Sequence, residues 1–575
     1  MTNTQDFEDF VFEQALENAV SFKGKANPKA LIGKCMPKFP EMKQQMGEFM
    51  PRLNAVVEQV NSMSLEEQTE KLLSLKPDFL EKKKEKKEPN KTDGLPKLKN
   101  TENGVVVRFP PAPSGHLHLG HLFGIVANYE LKKKFGGKFI LRFEDTNPEN
   151  IDIKNYEKVI EDVNWITDNG VDEIFYQSDR MELYYKYLRT LFEIDQCYVD
   201  QTDPETFKAL TDAKEQSTYA KMGREEQSKL FEQFMKGEIE GVIRARADLQ
   251  NKNPALRTFP LARVNKNAHA RAGTKYSVWP NYNFACAIDD SLMGLTHVVR
   301  GKDLEIGEER QKMIHKSLGL ESPEYYHYGR LKFEDVELSK SKLTELIESG
   351  KYSGWDDPRV PSILAYKKRG YKAEAFRKLI MALGISKRDS RITSEEYHKQ
   401  LDFFNKQILE KEATRFFFVH NPKKVHIKNI GAVDFDEIIL PKHPEDKSFG
   451  NRVFGVQADY IIDSLDFNNF EVGDHFRLMH FANFKVISKT DDLLGVEFIS
   501  KDYSKDFGAK RNIHFLPVGA TEEASLVMQD NSKIKGLTEE LGNLKVDEAI
   551  QFERFGFVRF DREDNEVRVF HYTHQ

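Results

Sequence analysis

A strand, a loop and a helix in direct succession constrain the fold of this chain more than any other feature. The run VVVRF at 105–109 has the continuous β-branched character of a parallel strand that is buried on both faces. The loop PPAPSG follows, residues 117–134 have helical length, and Gly136-Gly137 ends that segment before a second strand, KFILRF. This pattern predicts a βαβ unit whose ligand lies at the carboxyl end of the first strand.

Three histidines crowd the loop at that place, in the run PAPSGHLHLGH at 111–121. His118 and His121 are three residues apart and share a face at the start of a helix, and Gly120 lets ligand atoms come close. Free N–H groups and the positive end of the helix dipole favour anions, so the segment predicts phosphate binding. Zinc is disfavoured because no carboxylate or Cys stands at a matching short spacing. The other interpretation is that these are ordinary core histidines.

Length and composition set the class of protein. A chain of 575 residues predicts roughly three to five domains, and no apolar run approaches the roughly 20 residues of a membrane span. The amino end lacks the layout of a signal peptide, and Cys35, Cys197 and Cys286 lie too far apart for a zinc knuckle or a disulfide framework. We therefore expect a soluble, cytoplasmic protein without a membrane partner. A net charge of -6 means that any nucleic-acid surface must be local.

The two ends of the chain differ in pattern from its middle. Residues 1–80 show helical spacing and predict a small N-terminal helical domain. Residues 81–100, EKKKEKKEPNKTDGLPKLKN, predict a charged, solvated linker or a basic arm that contacts RNA. Residues 401–575 consist of short alternating runs with turn residues between them and predict an all-β region.

One segment, 361–390, carries the strongest basic patch of the chain, with eight Lys or Arg and a local net charge of +6. Its apolar residues fall on one face of a helix that ends at Gly384, namely Phe376, Leu379, Ile380 and Leu383. The spacing predicts that the lysines and arginines point outward.

Two motifs carry a resemblance to a known family. Residues 114–121, SGHLHLGH, resemble the HIGH motif of class I aminoacyl-tRNA synthetases, and residues 337–341, ELSKS, resemble their KMSKS motif, with Glu337 in place of the first lysine. Longer runs are similar to glutamyl-tRNA synthetases of the archaeal and eukaryotic type: RFPPAPSGHLHLGH, GGKFILRFEDTNPEN, NYNFACAIDDSLMGLTHVVRGKD, YGRLKFEDVELSKSK and GWDDPRVPSILAYKKRGY. The resemblance is strong over residues 100–420 and architectural elsewhere.

The resemblance implies a multi-domain α/β fold with a Rossmann-type catalytic domain of class I synthetases and C-terminal anticodon-binding β-barrels. It divides the chain into catalytic halves at 101–195 and 273–345, an inserted acceptor-end-binding domain at 196–272, a helical stem-contact region at 346–400, and two barrels within 401–575.

The implied activity is that of a glutamate–tRNA ligase. ATP, accompanied by Mg²⁺, activates L-glutamate, which passes to the 3'-terminal adenosine of tRNA(Glu). No metal site built by the protein is expected. Whether tRNA(Gln) is also charged, and whether a protein partner binds the N-terminal helical domain, stay open.

The resemblance also implies which residues act. The catalytic set is His118, His121 and Lys340. The ATP-binding set is Gly115, His118, Gly120, His121, Leu331, Ser339, Lys340 and Ser341. The glutamate-binding set is Arg108, Ser114, Glu144, Tyr282, Cys286 and Arg300. The tRNA-binding set within the basic segment is Lys367, Lys368 and Arg369.

Three alternatives compete with this interpretation. A glutaminyl-tRNA synthetase shares the architecture but gains no ion pair from an arginine at position 300. A small-molecule nucleotidyltransferase of the same fold does not explain the long segment after residue 341. A non-catalytic tRNA-binding paralogue would have ruined motifs, and here they are intact.

Overall fold

The computed structural model divides the chain into two compact units, Met1–Thr92 and Asp93–Gln575. It describes residues 4–21, 24–43, 45–76, 93–149, 151–336, 338–502 and 511–575. Most of the predicted linker at 81–100 lies outside these ranges.

The first unit is helical, which confirms the prediction of N-terminal helices. Its helices are α1 (Thr4–Ser21), α2 (Pro28–Lys38), α3 (Met46–Asn61) and α4 (Leu65–Leu75). Helix α4 begins at a capping box in which Ser64 and Glu67 each accept a backbone N–H of the other residue. Apolar residues of α1 and α3, among them Val11, Leu53 and Val57, form the core.

The second unit opens with the predicted βαβ pattern. Its first elements are β1 (Val105–Phe109), α5 (Leu122–Phe135), β2 (Gly137–Phe143), α6 (Lys154–Thr167), β3 (Glu173–Tyr176) and α7 (Met181–Glu193). The three strands are parallel and stand in the order β1-β2-β3. Helix α6 packs on them through Tyr156, Val159, Val163 and Ile166, which repeat at helical spacing.

An antiparallel sheet with two helices follows as an insertion. Its elements are β4 (Cys197–Asp200), α8 (Pro204–Ala213), α9 (Arg224–Met235), β5 (Val242–Ala245), β6 (Pro260–Val264) and β7 (Val278–Pro280), and the strand order is β4-β5-β6-β7. The sequence-based boundary at 272 is therefore too early, because β7 pairs with β6 and belongs to this sheet.

The chain then returns to the side of the parallel sheet. The next elements are α10 (Tyr282–Leu292), β8 (His297–Gly301), α11 (Glu305–Leu318), β9 (Glu324–Tyr328), β10 (Leu331–Phe333), α12 (Lys340–Glu348), α13 (Ile363–Arg369), α14 (Ala373–Leu383), β11 (Ser390–Ile392) and α15 (Ser394–Glu412). Strands β8 and β9 are parallel, and Thr296 N donates to Val106 O at 3.0 Å beside them. Strands β8 and β9 form a separate two-stranded sheet with β8 beside β1, so the strands run β3-β2-β1-β8-β9 across the two sheets. This is the order of a doubly wound fold, which confirms the Rossmann-type prediction.

The start of the all-β region was predicted about 12 residues too early. Helix α15 continues to Glu412 because Leu401, Asn405, Ile408 and Leu409 are buried on one of its faces, and the first strand begins at Arg415. The strands and a short helix that follow are β12 (Arg415–Phe416), β13 (Phe418–His420), β14 (Pro422–Ile427), β15 (Glu437–Pro441), β16 (Asn451–Gly455), β17 (Asp459–Asp463), α16 (Ser464–Asn468), β18 (His475–Leu478), β19 (Asn483–Lys489), β20 (Leu493–Ser500), β21 (Asn512–Ile513), β22 (Leu516–Pro517), β23 (Glu522–Val527), β24 (Lys533–Thr538), β25 (Ala549–Phe552), β26 (Gly556–Asp564) and β27 (Val567–His574).

Two seven-stranded sheets dominate this region. One has the order β12-β25-β26-β27-β23-β24-β13, so its edge strands are neighbours in the chain with only Phe417 between them. The other has the order β21-β18-β19-β20-β14-β17-β22, and its edges are again successive segments of chain. Edges this close in sequence require each sheet to curl on itself, which confirms the predicted pair of barrels.

Candidate active site

The histidine loop lies where it was predicted, between β1 and α5. A single turn of 3₁₀ helix, Leu119–His121, joins them. His118 N donates to His121 Nδ1 and Gly120 N donates to His118 Nδ1, each at 3.1 Å, and the ring centroids are 4.0 Å apart. Because each Nδ1 accepts a hydrogen bond from a backbone N–H, each ring carries its own hydrogen on Nε2 when it is neutral. The loop thus orients two imidazole N–H donors as a pair.

Gly120 is required by the packing of this pair. A Cβ at this position would lie 2.8 Å from a ring carbon of His118 and 3.8 Å from Leu338 Cδ1. Leu338 belongs to the second motif, so the two motif segments lie side by side. The Oγ atoms of Ser339 and Ser341 are 3.1 Å apart at the start of α12. Glu337 and the side chain of Lys340 lie outside the described part of the structure, so the role of Lys340 stays a prediction.

Three backbone contacts hold the histidine loop in place. Leu119 N donates to Pro361 O at 3.2 Å, and Ile363 N donates to Leu117 O at 3.1 Å, which ties the loop to the start of α13. Leu117 N donates to Asp162 Oδ2 at 3.4 Å on the other side. Burial in this apolar layer raises the pKa of Asp162 to about 7.

Three fully buried ionisable side chains and the partly exposed Glu144 form one cluster. Asp290 Oδ1 lies 2.6 Å from Arg142 Nη1 and 3.4 Å from Arg108 Nε, and all three side chains are fully buried. Arg142 Nη2 also contacts Glu144 Oε1 at 3.3 Å. Burial by itself would raise the pKa of Asp290, but Arg142 and Arg108 hold it below its usual value. Burial raises the pKa of Glu144 despite Arg142. The structure thus pairs Arg108 with Asp290 rather than with Glu144.

The sequence analysis assigned no role to Arg142 or Asp290. Each is a charged residue inside an apolar run, KFILRF or ACAIDDSL. Such a position indicates a paired charge, because an unpaired buried charge would be costly. Cys286, one helical turn before Asp290, donates its S–H to Glu144 Oε1 at 2.9 Å. Cys286 therefore makes a polar contact with Glu144, another residue of the predicted glutamate-binding set.

Arg108 has two N–H donor groups that no described residue uses. Its Nη1 and Nη2 groups are buried and lack a hydrogen-bond partner within the described residues. An orphaned N–H of a charged group is expensive, so its presence indicates a place for an acceptor supplied from outside.

Arg300 is buried at the end of β8 and has neutral partners. Nε donates to His327 Nε2 at 3.2 Å, and Nη1 donates to Gln311 Oε1 at 3.1 Å and to Tyr282 OH at 3.4 Å. The guanidinium carbon lies 5.1 Å from the centroid of the Tyr325 ring. Nη2 is buried without a partner in the ranges that the structure covers, as at Arg108.

An open cleft of about 420 Å³ reaches Tyr282, whose hydroxyl group contacts Arg300. Glu144, Tyr282 and Asn283 line it on the side of the catalytic sheet, and Arg263 lines it on the side of the inserted sheet. Three other predicted residues differ in exposure. Ser114 is exposed on the histidine loop, Gly115 is buried there, and Leu331 in β10 is half-buried against the catalytic core.

Helix α13 carries the three predicted tRNA-binding residues and differs from the prediction at one of them. Lys367 is exposed, and Lys368 Nζ pairs with Asp356 at 2.7 Å. Arg369 is only 4% exposed and donates from Nη2 to Thr573 O at 3.1 Å. The prediction that Arg369 faces outward to tRNA is therefore wrong, because the last strand of a barrel covers it.

No helix among the described residues is long and apolar enough to cross a membrane. Within the same ranges, no group of three or more His, Cys, Asp or Glu residues could hold a metal ion.

Comparison with known proteins agrees with the geometry. Residues 104–411 match the model of the catalytic domain of tRNA synthetases class I (E and Q), and residues 413–498 match the anti-codon binding domain of the same group. The chain is 40% identical to a glutamate–tRNA ligase of Methanocaldococcus jannaschii, with 99% of this chain and 100% of the relative covered. Glutamate–tRNA ligases of Thermococcus onnurineus and Pyrococcus abyssi are 39% and 40% identical, with the same coverage. The chain belongs to the glutamate–tRNA ligase family of the class I tRNA synthetases.

Proposed function

We propose that this protein activates L-glutamate with ATP and transfers the glutamyl group to the 3'-terminal adenosine of tRNA(Glu). The α-carboxylate of glutamate attacks the α-phosphorus of ATP and pyrophosphate leaves. The 2'-hydroxyl of the terminal ribose then attacks the adenylate, and AMP leaves. Neither step needs a nucleophile from the protein, so the protein aligns the reactants and stabilises charge on the phosphates.

The buried arginines support glutamate as the amino acid. Free glutamate carries two carboxylates and one ammonium group, and the pocket offers unpartnered donors on Arg108 and Arg300 together with the carboxylate of Glu144. In this proposal Arg108 and Glu144 receive the α-carboxylate and the ammonium, and Arg300 receives the γ-carboxylate. Arg300 is the observation that carries the proposal, because a neutral amide would leave its charge without a counterion.

The paired histidines support phosphate binding. His118 and His121 donate from Nε2 to oxygens of the triphosphate, and Lys340 at the start of α12 meets the charge of the departing pyrophosphate. Mg²⁺ accompanies ATP as a counterion of the phosphates rather than as a resident metal. Omitting Mg²⁺ should therefore abolish adenylate formation and leave the fold unchanged, as circular dichroism would show.

The tRNA is proposed to cross several parts of the second unit. Its 3' end enters the cleft beside Arg263, Lys367 and Lys368 contact its backbone, and the barrels bind the anticodon. Charging of tRNA(Gln) and a protein partner for the N-terminal helices belong to the same proposal, as does a cytoplasmic location. Charging assays with purified tRNA(Glu) and tRNA(Gln) test the first of these.

Glutamate-dependent exchange between ATP and labelled pyrophosphate, with and without tRNA, tests the proposal. Exchange driven by glutamate and not by glutamine is the expected result. Exchange driven by glutamine alone would identify the rival amino acid, and no exchange under either condition would indicate a non-catalytic tRNA-binding protein.

A further inference from the structure

We infer that His327, supported by Glu308, is a positioning residue that fixes the guanidinium of Arg300 and thereby sets the selection of glutamate over glutamine. This inference rests on the proposed function, since it concerns how the same pocket receives the γ-carboxylate.

The two residues meet because of strand register. Strands β8 and β9 are parallel neighbours, and Arg300 stands directly opposite His327. Side chains opposite each other in adjacent strands share a face of the sheet. His327 is nearly as buried as Arg300, and the two are joined by the 3.2 Å contact from Arg300 Nε to His327 Nε2.

The contact with Arg300 determines which ring nitrogen of His327 carries the hydrogen. Arginine is always charged and Nε can only donate, so His327 Nε2 must offer its lone pair. The ring hydrogen then sits on Nδ1, which faces Glu308 Oε2 at 3.4 Å. Glu308 is itself paired with Lys312 one turn along α11. Burial, and then the charge of Arg300, lower the pKa of His327, which keeps the ring neutral as the contact requires.

Other contacts restrict the guanidinium further but leave one side open. Gln311 Oε1 accepts from Arg300 Nη1 and also from Tyr325 OH, at 3.1 and 3.2 Å. The rings of Tyr325 and His327 are nearly parallel, at 7°. Gly307 lies beside the unpartnered Nη2, since a Cβ there would touch that nitrogen at 3.4 Å and would approach Asn283 Oδ1 to 2.9 Å. The Arg300 side chain is thus held at Nε and Nη1 while Nη2 stays available for a ligand.

This arrangement predicts that the loss of His327 affects the binding of the γ-carboxylate in particular. Its loss leaves the charge of Arg300 in place but frees rotation about the end of a long side chain, so the γ-carboxylate meets a less organised donor. The loss should weaken glutamate binding more than it slows the chemistry, because the α-carboxylate and ATP are held elsewhere.

Steady-state kinetics on two substitutions test the inference. His327→Phe keeps a ring of similar size but removes the acceptor, and it should raise KM for glutamate about 10-fold with kcat within about 2-fold. His327→Gln keeps an acceptor oxygen and should recover most of the loss. Tyr326→Phe is the matched control, because Tyr326 directly precedes His327 in β9 and its hydroxyl donates to Ile385 O at 3.3 Å, away from Arg300. Its KM should match that of the wild type.

A double substitution distinguishes a positioning role of His327 from a general structural role. In an Arg300→Ala background, His327→Phe should change KM by less than about 2-fold, since it acts through Arg300. An unchanged KM in His327→Phe, or equal losses in the Phe and Gln variants, would overturn the inference. If the wild type fails to activate glutamate, the proposed function fails first. If Arg300→Ala collapses glutamate use while His327→Phe does not, only the role of His327 fails.

Discussion

Two buried arginines of the pocket have opposite electrostatic surroundings. Arg108 lies 3.4 Å from the carboxylate of Asp290, which it shares with Arg142. Arg300 contacts His327, Gln311 and Tyr282, all neutral, and has no ion pair with a carboxylate in the described ranges. Arg108 therefore has a counterion in direct contact, whereas the described carboxylates that act on Arg300, such as Asp290, lie beyond contact distance.

The difference teaches how selection can be built from an unbalanced charge. A buried cation without a counterion destabilises the fold, and arginine cannot escape this by losing a proton. A ligand carboxylate at Arg300 removes that penalty, whereas a neutral amide does not. At Arg108 the ligand adds to a balance that already exists, so we expect this arginine to hold a group common to both amino acids.

The largest expected effect is at Arg300. In Arg300→Ala, kcat/KM for glutamate should fall about 1,000-fold, because a buried ion pair with the substrate is lost, while trace activity with glutamine should fall much less. Aminoacylation with both amino acids measures this. Arg300→Lys keeps the charge without the planar fork and should lie between the two. If both amino acids lose equally, or if glutamate use survives, Arg300 is not the selector.

A smaller and unselective effect is expected at Arg108. Arg108→Met should lower kcat/KM about 100-fold for glutamate and for glutamine alike, since the α-carboxylate is the same in both. Asp290 keeps Arg142 at 2.6 Å, and thermal unfolding of the variant checks that the fold persists. A changed ratio between the two amino acids would contradict the assignment.

Asp162 extends the comparison to a carboxyl group. A buried carboxyl group can become neutral by taking up a proton, whereas a buried arginine stays charged. The pKa of Asp162 is raised to about 7 in the folded state from 3.8, so its contribution to stability is full below about pH 4 and is lost as pH rises toward 7. Asp162→Asn stays neutral at all pH values. Its free energy of unfolding relative to the wild type should therefore increase by about 2 kcal/mol between pH 5 and pH 8.

Urea titrations at the two pH values measure that difference. The exposed neighbour Glu161→Gln is the control for loss of a negative charge on the same helix. A constant difference between Asp162→Asn and the wild type would show that Asp162 is charged in the folded protein throughout.

The smallest effect contrasts two cations of one helix, the exposed Lys367 and the buried Arg369. Lys367→Glu should weaken tRNA binding about 5-fold and reduce the slope of log K against log salt by about one. Arg369→Met should leave the slope unchanged and lower the melting temperature, because its hydrogen bond to Thr573 O is structural. An unchanged slope in Lys367→Glu would mean that this face does not contact RNA.

Local patterns in the sequence predicted the elements and the motifs well. The βαβ unit, the histidine loop and the apolar face of α14, with Phe376, Leu379 and Ile380 buried and Gly384 after the last turn, all follow from spacing within about 20 residues. Such features depend on neighbours in the chain, so they can be inferred from one sequence.

The pairings within the site could not be predicted in that way. Asp290 is 182 residues from Arg108, and Thr573 is 204 residues from Arg369. Side-chain partners at such distances depend on how strands and helices pack, and periodicity carries no information about that. The burial of Arg369 and the link between Arg300 and His327 are therefore results of the structure.

The outer barrel, formed by β12, β13 and β23–β27, can close only after its last strands have been synthesised. Strands β12 and β13 leave the ribosome first, yet their partners in the sheet, β25 and β24, follow only after the whole of the other barrel. The other barrel, formed by β14 and β17–β22, can fold as soon as its residues have emerged, since domains generally fold during synthesis. The outer one waits for residues 567–574, and the same strand brings Thr573 to Arg369. A nascent chain that stops short of this strand therefore lacks both a closed barrel and the support of α13, so unfinished products are expected to bind tRNA poorly.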